Sequence, residues 1–135
     1  MEVFAGAFIA GNYHAPSGFC FDSSCHYCRD DPIVEDPLLE TCNADAKVQA
    51  FITAILDEQS HSVGNNIMIK MGADFTWDNA NTWYKSIDTL IRRVNAADDR
   101  FHLFYSDPVT YTRARAAEAL TWTQKTDDFF PYSDR

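Results

Sequence analysis

The hydrophobic pattern along the chain changes character at residue 43. Residues 1–42 show no sustained period and are broken by Gly6, Gly11, Pro16, Gly18, Pro32 and Pro37, with Asp30, Asp31, Glu35 and Asp36 keeping the stretch solvated. This reads as a loop-rich segment. From Asn43, placed where a helix cap belongs, Val48, Phe51, Ile52, Ile55 and Leu56 recur at helical spacing and predict a helix over about 44–59. Gly64-Asn65-Asn66 ends it. The apolar run Ile67-Met68-Ile69-Lys70-Met71, bounded by turn residues, predicts a buried strand. A second helix is expected over about 79–95, with Trp83, Ile87, Leu90, Ile91 and Val94 as its apolar stripe and Lys85, Asp88, Arg92 and Arg93 facing water. Residues 101–105 are a second strand candidate, and Pro108 opens a third helix to about 120. An aromatic, acidic segment, 121–135, follows. The alternation over 43–120 implies an α/β fold of parallel strands with crossover helices, incomplete at both ends because two strands cannot close a sheet.

Composition narrows the functional classes. The 135 residues carry 11 Lys+Arg against 20 Asp+Glu, a net charge of −9, which disfavours nucleic acid and anionic membranes as partners. No apolar run reaches the roughly 18 residues of a membrane span. The start, through Ile9 and Ala10, is apolar but lacks a basic n-region and makes a poor secretory signal. Yet Cys20, Cys25, Cys28 and Cys42 cluster as they do in oxidised proteins. A chain that begins partway through a larger secreted protein reconciles the two.

Asp74 is the sharpest chemical candidate. It follows the C-terminal end of a predicted parallel strand, the edge where α/β proteins place their sites, after the turn-permitting Gly72 and before Phe75, a ring suited to shielding a carboxylate and raising its pKa. The plainer reading is an N-cap or loop aspartate. The cysteines allow three disulfide pairings, or a zinc site from Cys25, His26, Cys28 and Cys42 that lacks paired CxxC knuckles. Tyr13 is either a site residue or loop packing. Asp127-Asp128-Phe129-Phe130-Pro131-Tyr132-Ser133-Asp134 mixes acids with sugar-stacking rings, or is a solvated tail. His61 and His102 have no partner at recognisable spacing.

The run from Met71-Gly72-Ala73-Asp74-Phe75-Thr76-Trp77-Asp78-Asn79 through Trp83-Tyr84-Lys85 to Val94-Asn95 resembles the lysosomal-type α-mannosidases of glycoside hydrolase family 38. Leu120-Thr121-Trp122 with Lys125-Thr126-Asp127-Asp128-Phe129-Phe130-Pro131-Tyr132, and Gly11-Asn12-Tyr13-His14-Ala15-Pro16 with Cys20 and Cys25, resemble further segments of that family in the same order. The resemblance implies that residues 1–135 are an internal fragment of one catalytic domain, a portion of a seven-stranded (β/α) barrel-like fold. It also implies a retaining exo-glycosidase that removes terminal α-D-mannose from N-glycans. On that basis Asp74 is the general acid/base, Tyr13 contacts the mannose, and Cys20–Cys25 is a disulfide; Cys28 and Cys42 are additional to the family's usual pattern and are candidates for a disulfide of their own. The family's zinc is a cofactor of the whole enzyme. Its His-x-Asp motif, later histidine and nucleophilic aspartate are absent from these residues, so the fragment alone is expected to be inactive and to depend on the remainder of the same chain. Lysosomal or secretory localisation follows from the resemblance. Ala73, where Golgi-type relatives carry a second aspartate, favours the lysosomal type. A non-catalytic truncated product or a small disulfide-stapled glycan-binding module is the alternative.

Overall fold

A computed structural model describes residues 3–6, 13–25 and 31–128. Three helices organise it: α1 (Ala44–Ser60), α2 (Ala80–Ala97) and α3 (Pro108–Ala117). The α1 stripe of Val48, Phe51, Ile52 and Ile55 packs against the α2 stripe of Trp83, Ile87, Leu90 and Val94. Trp83 and Val94 are fully buried. Leu56, assigned to the α1 stripe by periodicity, is 44% exposed, because it lines an open groove beside Phe51 and Ile55.

The caps differ from what the residue types suggest. Asn43 occupies the N-cap position of α1 without a side-chain capping bond. Its amide is engaged backwards instead, accepting from the Val34 N–H at 2.9 Å and donating to the Pro32 carbonyl at 3.1 Å. The 31–34 stretch is thereby laid against α1. Helix α3 is capped conventionally: Asp107 Oδ1 accepts from the N–H groups of Val109 and Thr110, with Pro108 at the first position. At the far end of α3, Glu118 accepts from the N–H groups of Asn65 and Asn66, fastening α3 to the turn after α1.

The loop-rich first third supplies core as well as loop. Phe19, Phe21 and Ile33 are each 2% exposed or less and pack into the cluster formed by α1 and α2. Phe19 meets Phe51 edge-on at 4.9 Å, and Phe21 meets Trp83 at 5.4 Å. Glu35 anchors this layer to α2 through Arg92, through Arg93 Nε at 2.8 Å and through the Thr89 hydroxyl at 3.1 Å. Arg93 continues the chain of charges to Asp45 on α1 at 2.6 Å.

Hydrogen bonds from Arg92 and Arg93 hold the Glu35 carboxyl down to about 2, from an ordinary 4.5. A carboxylate whose pKa is depressed on folding contributes stability above its unfolded value and loses it as pH falls toward the folded one. Urea midpoints of the wild type and Glu35→Gln should therefore differ most above pH 5 and converge as pH is lowered toward 2. A gap that stays constant down to pH 2 would show that the charge of Glu35 contributes nothing.

The two predicted strands are corrected: among the described residues no strand forms. Residues 67–71 and 101–105 hold no β-ladder, and a strand exists only where a neighbour completes its hydrogen bonds. Ile69, Met71, Phe101 and Leu103 nevertheless rest on the helical core. Phe104 and Tyr105 are 61% and 51% exposed. Both segments line one groove of about 790 Å³, floored by Phe51 and Ile55 of α1 and Ile87 and Leu90 of α2. Among the described residues no helix is long and apolar enough to cross a membrane.

Candidate functional site

Residues 72–77 form a tight, conformationally costly turn between the first extended segment and α2. Gly72 has φ +149, and a Cβ there would meet the Trp77 indole nitrogen at 3.0 Å, so glycine alone fits. Phe75 and Trp77 both sit at positive φ, 57° and 75°, without being glycine. Each such residue costs on the order of 1–3 kcal/mol and persists only where its surroundings over-determine it.

Those surroundings come from residues 13–25. The Ala15 N–H donates to the Gly72 carbonyl at 2.9 Å. The Thr76 hydroxyl closes the turn, donating to the Ala73 carbonyl and accepting from the Ala73 N–H, both at 2.9 Å. The Trp77 indole donates to the Met71 carbonyl at 3.0 Å and stacks on Trp83 at 5.1 Å with 10° between planes. The Trp77 N–H donates to Asp22 Oδ2 at 3.1 Å. Asp22 lies inside the loop closed by the Cys20–Cys25 disulfide.

This framework brings Asp74 and Tyr13 together. The Tyr13 hydroxyl donates to Asp74 Oδ2 at 2.9 Å across 61 residues of sequence. The Tyr13 ring stacks on His14 at 4.7 Å and is 42% exposed. Asp74 is exposed and is not a helix cap; that position before α2 belongs to Asn79. Phe75 does not shield the carboxylate as expected, because φ 57 turns its ring outward to 89% exposure. A solvent-facing carboxyl with a phenolic donor on one oxygen leaves its other oxygen open to exchange a proton with a bound molecule.

The zinc alternative built on Cys25 fails, since Cys25 is spent in the disulfide and offers no thiolate. Cys42 is exposed and has no disulfide partner among the described residues; Cys28 and His26 lie outside them. Among the described residues no three of His, Cys, Asp or Glu group into a metal site. The donor set of the described residues does not fit zinc. Asp127 and Asp128 are exposed, and 129–134 lie outside the described residues.

Sequence reasoning missed Asp22. It is 4% exposed, and both its oxygens are saturated: Oδ1 by the Ser24 N–H and hydroxyl at 3.1 and 3.0 Å, Oδ2 by Trp77 N–H and by the Trp83 indole at 3.3 Å. The hydrogen bond from the Ser24 N–H, with those of its hydroxyl and the two tryptophans, outweighs burial and lowers the Asp22 pKa. The sole signal was Asp22-Ser23-Ser24 itself, a common local turn whose long-range partners have no sequence signature.

All 135 residues match the model of the glycosyl hydrolases family 38 N-terminal domain. The chain is 42% identical over 135 residues to a probable alpha-mannosidase of Arabidopsis thaliana, covering 99% of this chain and 13% of that protein. It is 40% identical over 135 residues to a lysosomal alpha-mannosidase of Dictyostelium discoideum and 38% identical over 136 residues to that of Homo sapiens, in each case covering 98% of this chain and 13% of the relative. The chain thus spans about 13% of the length of the curated relatives it matches. A turn that presents an aspartate to a tyrosine from the disulfide-bearing segment is therefore a feature of a chain that belongs to glycosyl hydrolase family 38, within its N-terminal domain.

Proposed function

We propose that this chain is part of the catalytic domain of a lysosomal-type α-mannosidase, a retaining exo-glycosidase acting on terminal α-D-mannose of N-glycans, and that Asp74 is its general acid/base. The Tyr13–Asp74 hydrogen bond carries the reading, since it pairs a carboxyl with an aromatic hydroxyl at an exposed, rigidly built turn. In the first half-reaction Asp74 gives its proton to the departing glycosidic oxygen while a second carboxylate, outside these residues, attacks the anomeric carbon. In the second, Asp74 takes a proton from water as that water displaces the enzyme carboxylate. Tyr13 orients the carboxyl and lies beside the mannose. The 135 residues supply one of the two carboxyls, so turnover belongs to the longer polypeptide.

The barrel-like (β/α) fold is part of the same proposal. It is supported by the two extended segments, which run along one groove with the composition of buried strands. Zinc, in this reading, is held by residues beyond this chain, and the lysosomal relatives support a lysosomal or secretory location.

Tyr13→Phe in the full-length enzyme tests the carrying observation. A hydrogen bond to a charged group contributes about 1.5–3 kcal/mol, so kcat/KM on a terminal α-mannoside should fall roughly 10–100-fold. Unchanged kcat/KM with an unmoved pH profile would remove the Tyr13–Asp74 pair from the mechanism.

A further inference from the structure

Asp22 is a buried carboxylate that stands apart from the exposed acid and meets every part of the frame around it. Ser24 belongs to the disulfide loop, Trp77 ends the turn bearing Asp74, and Trp83 is the buried anchor of α2. Four donors fill its two oxygens. No ion pair to Asp22 is among those observed in the described residues, so its charge is balanced by donors that must stay in place.

Trp77 is where this matters. Its positive φ is unfavourable, and its N–H donates to Asp22, which helps to hold the backbone there. If the N–H were released, the backbone would relax toward negative φ and swing the preceding residues of the turn. Asp74 lies three residues before Trp77 and only reaches Tyr13 while the turn holds its shape. A displacement of about 1 Å at a reacting group can cost about 10²-fold in rate.

Resting on the assignment of Asp74 as the acid/base, we infer that Asp22 is a positioning residue for that acid: its carboxylate clamps the Trp77 N–H to the disulfide loop and thereby sets the direction in which Asp74 delivers its proton. Asp22 itself touches no substrate in this scheme. Its neutral analogue, asparagine, keeps the shape but turns an NH2 toward donors that need an acceptor.

The test uses the full-length enzyme and a pair of aryl α-mannosides, one with a good and one with a poor leaving group. An aglycone that departs readily hardly needs the acid, so a fault in Asp74 shows in kcat/KM on the poor substrate and spares the good one. Asp22→Asn should lower kcat/KM about 10²-fold on the poor substrate and less than about threefold on the good one. Ser24→Ala, which removes one of the four donors at a half-buried position, should show the same dependence at about two- to fivefold and remains informative if the first variant does not fold. Equal losses on both substrates, or none, would overturn the inference and leave Asp22 a structural residue. Asp74→Asn, measured beside them, separates the two failures. If it shows the leaving-group dependence and the Asp22 and Ser24 variants do not, only the positioning role falls. If it shows none, the acid/base assignment falls and takes the inference with it.

Discussion

Replacing Asp74 by asparagine in the full-length enzyme is expected to lower turnover of a terminal α-mannoside by about 10²–10⁴-fold, the range that general acid–base assistance supplies. Asparagine conserves volume and still accepts the Tyr13 hydroxyl bond, so the turn should keep its shape. It cannot release or take up a proton. The folded structure and the metal content of the full-length protein should be unchanged, because Asp74 belongs to no metal-binding group among the described residues. Rates on several unactivated mannosides, melting temperature and metal analysis of the same preparation decide the matter. Near-normal turnover would exclude Asp74 as the acid/base. Loss of activity together with a lowered melting temperature would instead make it a structural residue of the turn.

The second large effect concerns Trp83. This side chain is fully buried, stacks on Trp77, meets Phe21 edge-on and donates to Asp22. Trp83→Ala removes an aromatic from a close-packed core and should destabilise the protein by about 3–5 kcal/mol. It also leaves Asp22 one donor short, which adds to the cost of keeping that carboxylate buried. Trp83→Phe should lose less, because the remaining ring fills part of the space. Denaturant unfolding of both variants against wild type checks the order. A Trp83→Ala midpoint within error of wild type would mean that the α1–α2 core closes over the cavity without loss.

What could be read from residue order was the part governed by local periodicity. The stripes of α1 and α2 follow the 3.6-residue repeat, and Pro108 marks the first turn of α3. The apolar runs at 67–71 and 101–105 carry the composition of strands, but pairing is a property of two segments at once. Phe19, Phe21 and Ile33 entered the core without any period, each as a single anchor in a turn-rich stretch. Asn43 has a capping residue's chemistry and uses it on the preceding loop. The site divides in the same way. Asp74 was marked by its place after an apolar run and Tyr13 by family resemblance, whereas the hydrogen bond between them, across 61 residues, has no signature in spacing. Asp22 was invisible because two of its four donors come from Ser24, an ordinary local turn, and the other two lie 55 and 61 residues away.

Those separations bear on how the molecule is made. Helices α1 and α2 can form from near neighbours, while the contacts from Tyr13 to Asp74 and from Asp22 to Trp77 wait for long loops to close. Four cysteines lie within the short stretch from Cys20 to Cys42, and three pairings are open to them as the chain oxidises. Only the Cys20–Cys25 bridge closes the small loop in which Asp22 meets Ser24. A chain that joins either of these cysteines elsewhere can still build its helices and yet has nowhere to dock the turn after residue 71. The choice of partner for Cys20 and Cys25 thus decides whether the turn bearing Asp74 finds its dock.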